Sequence, residues 1–92
     1  MQVYIWSAER AGSKLRALRA QNGKLLREVA EATGISRQMV GYYENGEKMI
    51  PPTAMAALAT YYQVSLEDLF FDLVNGADYD GTNNEEDEDG TE

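Results

Sequence analysis

Hydrophobic residues recur at helical spacing in five segments of this chain, each bounded by Gly, Pro or a capping residue. The first segment, residues 8–21, follows Ser7, which we predict to be its N-cap. Two short segments come next, residues 25–32 and residues 36–44. We therefore predict three helices in the first half of the chain, with a tight turn between the second and the third.

The second half of the chain predicts two more helices. Pro51 and Pro52 cannot continue a helix but are well placed before one, and we expect Thr53 to cap the fourth helix. Ser65, with an Asp three residues later, has the form of a capping box and opens a fifth helix, which we extend to Leu73. The expected fold class is all-α, a compact five-helix bundle.

The two ends of the chain have different patterns. Residues 2–6 are rich in β-branched and aromatic side chains and predict a short strand. A lone strand must either pack its aromatic rings on the helices, which we take as the default, or pair with the same strand of a second chain. The end of the chain holds mostly Asp, Glu, Asn, Gly and Thr and is predicted to be disordered, because it cannot bury enough apolar area to offset chain entropy. The predicted organisation is an N-terminal arm over residues 1–7, a helical domain over residues 8–75 and an acidic tail over residues 76–92.

Composition narrows the function classes. Without Cys or His the chain lacks disulfides, thiolate metal sites, and the commonest general base and metal ligand. Nothing pairs a nucleophile with a base, so we expect no enzyme, no cofactor and no metal site. The apolar run from Val3 to Trp6 is too short for a signal peptide or a membrane span. We therefore expect a soluble cytoplasmic protein that does not associate with a membrane.

The net charge of -8 is unevenly distributed along the chain. All eight basic residues lie at or before Lys48, whereas eight of the sixteen acidic residues lie after residue 76. The first 76 residues are thus neutral in sum, and the tail carries the whole excess. Between Lys14 and Lys48, seven basic residues outnumber four acidic ones. This local charge of +3 favours contact with phosphates.

The second and third predicted helices have the layout of a helix-turn-helix. Ala30 is small enough for the two helices to approach, Gly34 supplies the turn, and Ile35 fills the space between them. Val40 and Tyr43 form the inward stripe of the third helix. The opposite face then presents side chains suited to reading a DNA groove, namely Arg37, Gln38, Gly41, Tyr42 and, just beyond the helix, Asn45.

The order of these motifs resembles the Cro and phage-repressor family of helix-turn-helix proteins. The resemblance covers about residues 11–71. GSKLRALRAQNG is similar to the family's first helix, VAEATGIS to the helix-turn junction, RQMVGYYENGEK to the recognition helix and its exit, and LATYYQVSLEDLF to the fourth and fifth helices. The four motifs in this order are much more specific than any one of them.

The resemblance implies which residues contact DNA. Arg37 and Gln38, at the start of the recognition helix, would reach base edges in the major groove, with Tyr42 one turn later. Asn45, with the backbone near Gly46, would hold a phosphate.

The resemblance also implies a structural brace, in which Glu44 pairs with Arg19 of the first helix. The chain departs from the family at the start of the second helix, where Leu25 and Leu26 replace a capping Ser or Thr and a phosphate-contacting Gln. The two leucines could instead face a partner or the N-terminal segment. We expect phosphate contacts to come from nearby basic residues: Lys24, Arg27 and Lys48.

These observations predict a sequence-specific DNA-binding protein that acts as a transcriptional regulator, a repressor of phage, plasmid or controller type. Because one recognition helix contacts few base pairs, we expect a homodimer on double-stranded DNA. Its interface would be the N-terminal strand or the end of the fifth helix, which holds Phe70, Phe71 and Leu73. The alternative is a protein-interaction module, an antitoxin or antirepressor that binds a protein partner and whose acidic tail mimics DNA. A passive tail and one that competes with DNA for the basic face both stay open.

Overall fold

The computed structural model describes residues 2–75, with side chains from residue 2 to residue 72. The five predicted helices and the N-terminal strand are confirmed. In chain order the elements are β1 (Gln2–Ile5), α1 (Ala8–Gln21), α2 (Leu26–Thr33), α3 (Arg37–Glu44), α4 (Pro52–Tyr62), α5 (Leu66–Phe70) and β2 (Asp72–Asn75). The predicted acidic tail, residues 76–92, lies outside the described residues.

The helices pack their apolar stripes around one core. Leu15 of α1, Val29 of α2 and Leu58 of α4 are each at most 1% exposed. Burial of one such side chain stabilises the fold by about 1.5–3 kcal/mol relative to leaving it in water. The complete buried cluster is Ala11, Leu15, Val29, Val40, Tyr43, Ile50, Ala54, Leu58, Ala59, Leu69 and Phe70. Every helix contributes to it, so α3 is held from behind by the whole bundle.

Serine side chains cap three of the helices. The Oγ atoms of Ser7, Ser36 and Ser65 accept hydrogen bonds from the backbone N–H three residues later, at 3.1, 3.1 and 2.9 Å. The expected cap at Thr53 is wrong, because α4 already begins at Pro52 with Pro51 as its N-cap residue. A proline in the first turn has no N–H to satisfy, so this helix start requires one capping bond fewer.

The N-terminal strand finds its partner within the chain. β1 pairs with β2 in antiparallel register, with Tyr4 opposite Leu73 and Ile5 opposite Asp72. Our expectation of an unpaired strand was therefore wrong, and so was the extension of the fifth helix to Leu73. α5 ends at Phe70, and Phe71 already has extended backbone angles of φ -127° and ψ 143°. The pairing satisfies backbone groups that a lone strand would leave to solvent.

Two basic residues of α1 attach β2 to the bundle. The Asp72 carboxylate accepts a salt bridge from Lys14 Nζ at 2.7 Å and from Arg10 Nη1 at 3.4 Å. Lys14 Nζ also donates to the backbone carbonyls of Asp68 and Phe71 at the end of α5. Lys14, and to a lesser extent Arg10, hold the pKa of Asp72 below its ordinary value.

Candidate nucleic-acid interface

The junction between α2 and α3 has the geometry of a helix-turn-helix. Gly34 ends α2 in the left-handed region at φ 78°, and its N–H donates to the Ala30 carbonyl at 2.9 Å. Thr33 Oγ1 donates to the Val29 carbonyl at 2.7 Å and accepts from the Ile35 N–H at 3.3 Å. The Thr33 contacts were missed in the sequence, although a hydroxyl before a turn glycine often bonds back to the helix. They fix the direction in which the chain enters α3.

α3 presents the predicted faces. Val40 and Tyr43 are 1% and 4% exposed and point into the core. On the other side Arg37 and Gln38 are exposed, and Tyr42 is half-buried. The residues predicted to contact bases therefore lie together on the free face of a helix whose back is fixed.

α1 approaches the end of α3 very closely at Gly12. A Cβ atom on Gly12 would lie 2.5 Å from the Tyr43 carbonyl oxygen and 2.6 Å from that of Glu44. Real Cβ atoms do not come this close to backbone oxygens, so only glycine fits at this crossing. Sequence reasoning did not identify Gly12, because a single glycine inside a helical pattern has no distinctive periodicity.

An ion pair between a half-buried Arg and a buried Glu fixes the same end of α3. Arg19 donates from Nε and Nη2 to both carboxylate oxygens of Glu44, at 2.7 and 3.0 Å, and from Nη1 to the Lys24 carbonyl at 3.1 Å. Glu44 is 6% exposed, and its hydrogen bond raises the pKa of Arg19. Burial, and next the Glu44 charge, raise the pKa of Tyr62 to about 12. Because a bidentate Arg–carboxylate pair has a well-defined geometry, the Arg19–Glu44 pair sets the position of α3 relative to α1.

Three residues at the exposed surface of α3 contact one another. Gln38 Nε2 donates to the Tyr42 hydroxyl at 2.9 Å. Lys48 Nζ lies 5.5 Å from the centroid of the Tyr42 ring, within the range of a cation–π contact. Tyr42 thus orients both a predicted base-contacting amide and a predicted phosphate-contacting ammonium.

The basic residues divide into two groups. Arg10, Lys14 and Arg19 form salt bridges with carboxylates. Within residues 2–75 the other five form none: Arg16, Lys24, Arg27, Arg37 and Lys48. All five are exposed, and they include the three basic residues predicted to contact phosphates, namely Lys24, Arg27 and Lys48. Their charge is therefore free to meet an anion.

The region after α3 differs from the expectation in one respect. The N–H groups of Gly46 and Glu47 donate to the carbonyls of Tyr43 and Tyr42, at 3.2 and 2.9 Å. The expected phosphate contact from this backbone is not supported, because its donors are used within the helix end. Asn45 is exposed, and its Oδ1 accepts a hydrogen bond from Arg16 Nη2. Exposed side-chain donors, those of Asn45 and Arg16, remain available to an anion here.

Leu25 and Leu26, the two unusual leucines at the start of α2, lie in different surroundings. Leu25 occupies the N-cap position, and its N–H donates to Glu28 Oε1 at 2.8 Å. Glu28 therefore supplies the half of a capping box that does not depend on the N-cap side chain, a contact that the sequence analysis missed. Leu26 packs against the core, whereas Leu25 is 55% exposed.

The residues expected to form a dimer interface are not equivalent. Phe70 is 2% exposed and belongs to the core, so its assignment to an interface is wrong. Phe71 is 38% exposed, and with Tyr4, Leu66 and Glu67 it lines one shallow, mainly apolar depression. The side chain of Leu73 lies outside the described part of the chain.

Two negative findings concern other kinds of site. None of the helices between residues 2 and 75 is long and apolar enough to cross a membrane. The same residues contain no group of three or more acidic side chains placed to hold a metal ion.

Known proteins resemble the chain in the region that holds this site. The helix-turn-helix family matches residues 15–69. The restriction-modification controller protein C.AhdI from Aeromonas hydrophila is 28% identical, with a TM-score of 0.65, over 68% of this chain and 96% of C.AhdI. The clp gene regulator ClgR from C. glutamicum is 32% identical, with a TM-score of 0.63, over 67% of this chain and 80% of the solved one. The DNA-binding domain of BldD from S. venezulae is 35% identical, with a TM-score of 0.60, over 68% of this chain and 94% of that domain. None of the curated proteins compared with the chain matches it significantly.

Proposed function

The chain belongs to the Cro/C1-type helix-turn-helix family, and we propose on that premise that it is a transcriptional regulator that binds double-stranded DNA sequence-specifically. One observation carries the proposal. Arg37 and Gln38 are exposed at the start of α3, while Gly12 and the Arg19–Glu44 pair fix the back of that helix. A rigidly held helix with free polar groups at its start can enter the major groove.

The chemistry of α3 assigns roles to its exposed groups. Arg37 can donate two hydrogen bonds to the O6 and N7 of a guanine. Gln38 gives one amide N–H to Tyr42 and keeps its other N–H and Oε1, the two groups that pair with an adenine edge. Lys24, Arg27, Lys48 and Asn45 then contact phosphates and position the helix without reading sequence.

Repression of controller type is the specific activity that we propose. The similarity to C.AhdI, a restriction-modification controller protein, supports this type, and the similarities to ClgR and BldD support regulation in general. A regulator of this kind acts by occupying a site near a promoter.

Capture of genomic fragments tests the proposed function. The protein is incubated with sheared genomic DNA, and the retained fragments are sequenced. We expect enrichment of a few fragments that share a short motif, and loss of that enrichment when both Arg37 and Gln38 are changed to Ala. Arg10→Ala is the matched control, because Arg10 is bound to Asp72 and lies outside the helix-turn-helix. Retention of all fragments alike by the unchanged protein would contradict sequence-specific binding.

We also propose that the working species is a two-fold dimer, since a single short recognition helix contacts too few base pairs to be selective. The apolar depression of Tyr4, Leu66 and Phe71 is the surface we assign to the interface. Leu66→Lys should lower the mass measured by light scattering from that of a dimer to that of a monomer. A monomeric unchanged protein at high concentration, bound singly to each site, would contradict the dimer.

A protein-interaction module is the second candidate. It is favoured by Leu25 and Met49, which are 55% and 75% exposed and serve no visible purpose in packing. Leu25→Ser should leave DNA capture unchanged if the chain is a regulator of the type proposed. Loss of binding to a protein partner, in a chain that enriches no DNA motif, would favour the second candidate.

A further inference from the structure

Two neighbouring side-chain pairs connect α1 to the end of α3. Arg16 and Arg19 are three residues apart and lie on the same side of α1. Their partners, Asn45 and Glu44, are consecutive in the chain. The inner pair is the buried brace already described, whereas the outer pair, Arg16 with Asn45, is exposed.

The two pairs differ in charge. Glu44 neutralises Arg19, but Asn45 accepts a hydrogen bond from Arg16 and leaves its positive charge intact. An Asp at position 45 could accept the same bond and would cancel the charge. In the part of the chain that the structure describes, Arg16 has no carboxylate partner. The side chain of Arg16 is therefore oriented without being neutralised.

The surroundings of this pair require such a cation if an anion is to bind. The C-terminal end of a helix carries a partial negative charge, which repels a phosphate. The nearby N–H groups of Gly46 and Glu47 are already bonded to carbonyls of α3. Asn45 Oδ1 is directed at Arg16, so its Nδ2 remains as a donor and forms no hydrogen bond within residues 2–75.

We propose that Arg16 binds a phosphate of the DNA backbone beside the exit of the recognition helix, with Asn45 as its positioning residue and second donor. The proposal rests on the proposed function, since the anion is a phosphodiester of the bound duplex. Arg16 joins α1 to the DNA at the point where α1 is joined to α3. It thereby fixes the angle at which α3 lies in the groove.

The salt dependence of DNA binding tests this assignment in the full-length chain. Arg16→Gln should make the negative slope of log K against log salt shallower by about 0.9 per bound protomer, so that its deficit in affinity shrinks about threefold between 50 and 200 mM salt. Arg10→Gln is the matched control, because it makes the same charge change on the same helix at a residue bound to Asp72. In this control we expect the slope to change by less than half as much as in Arg16→Gln.

A second variant separates a contact with DNA from a purely structural role. Asn45→Asp converts the outer pair into an ion pair, so its thermal midpoint should equal or exceed that of the unchanged protein. Its DNA affinity should nevertheless fall at least as far as that of Arg16→Gln. Gln2→Glu, which adds the same negative charge at an exposed position of β1, is the control for net charge.

The outcomes separate the inference from the function on which it rests. If the unchanged protein binds no DNA motif, the proposed function fails, and the inference fails with it. If the protein binds its motif but Arg16→Gln has the slope of Arg10→Gln, or Asn45→Asp binds as Gln2→Glu does, only the phosphate contact is overturned. A shallower salt dependence of Arg16→Gln together with weak DNA binding by a stable Asn45→Asp supports it.

Discussion

Replacement of Gly12 by Ala should disturb the position of the recognition helix more than any change on its exposed face. The added Cβ would lie 2.5 Å from the Tyr43 carbonyl oxygen and 2.9 Å from the Glu44 carbonyl carbon. These are backbone atoms that cannot rotate away. To restore an ordinary contact of 3.4 Å or more, α1 must move back from α3 by nearly an ångström.

The magnitude follows from two opposing effects. Overpacking in a core costs about 1–3 kcal/mol, and rigid backbone neighbours place this site near the upper end. Ala is favoured over Gly inside a helix by about 1 kcal/mol, which offsets part of the loss. We therefore expect Gly12→Ala to lower the free energy of unfolding by about 2 kcal/mol, which corresponds to a fall in Tm of about 8–16 °C.

Gly41 provides the control, because it also lies inside a helix, in α3. A Cβ on Gly41 would meet no atom within 4 Å. Gly41→Ala should thus raise the free energy of unfolding by about 1 kcal/mol, the helix-propensity term alone. Thermal melts followed by circular dichroism measure both variants. If Gly12→Ala were as stable as the unchanged protein, α1 and α3 would not be in backbone contact, and the explanation for the fixed helix would fail.

Two further predictions follow from contacts within the helical domain, and a third from the charge of the tail. Asp72→Asn should lower the free energy of unfolding by about 0.5–1 kcal/mol at pH 7. In acid melts the difference from the unchanged protein should vanish as pH falls below 3.8, through the lowered pKa that Asp72 has in the folded state. A loss that persists at pH 2 would contradict this. Tyr42→Phe keeps the ring beside Lys48 but removes the hydroxyl that accepts a hydrogen bond from Gln38. Discrimination at one base pair should therefore weaken, while the affinity for non-specific DNA stays the same. An equal loss of affinity on all duplexes would refute this prediction. If the tail competes with DNA for the basic face, removal of residues 77–92, with their eight carboxylates, should raise DNA affinity at low salt by a factor that shrinks with added salt, whereas coincident curves would show a passive tail.

Much of the helical fold could be predicted because it depends on local signals. Ser7, Ser36 and Ser65 mark three helix starts by their capping hydroxyls, and Gly34 marks the turn by its positive φ. Val40 and Tyr43 define the buried face of α3 by their spacing alone. Periodicity then determines which side of that helix is left for DNA.

The features that the sequence analysis did not predict have a different physical origin. The pairing of β1 with β2 joins the two ends of the described chain, and neither strand has enough alternating pattern to indicate a partner. Leu73 continues the helical spacing of α5, but it lies in β2, which pairs with β1. Gly12 and Arg16 depend on how closely α1 crosses α3, which no local pattern encodes.

Base-by-base binding tests direct readout by α3, the central claim of this account. The preferred duplex and its single-base variants are titrated with the unchanged protein, Arg37→Ala and Gln38→Ala. Each variant should keep a normal helical circular dichroism spectrum and lose about 1–3 kcal/mol of discrimination at one base pair, a different one for each residue. Both variants binding the whole series with unchanged affinity and selectivity would contradict recognition through these side chains.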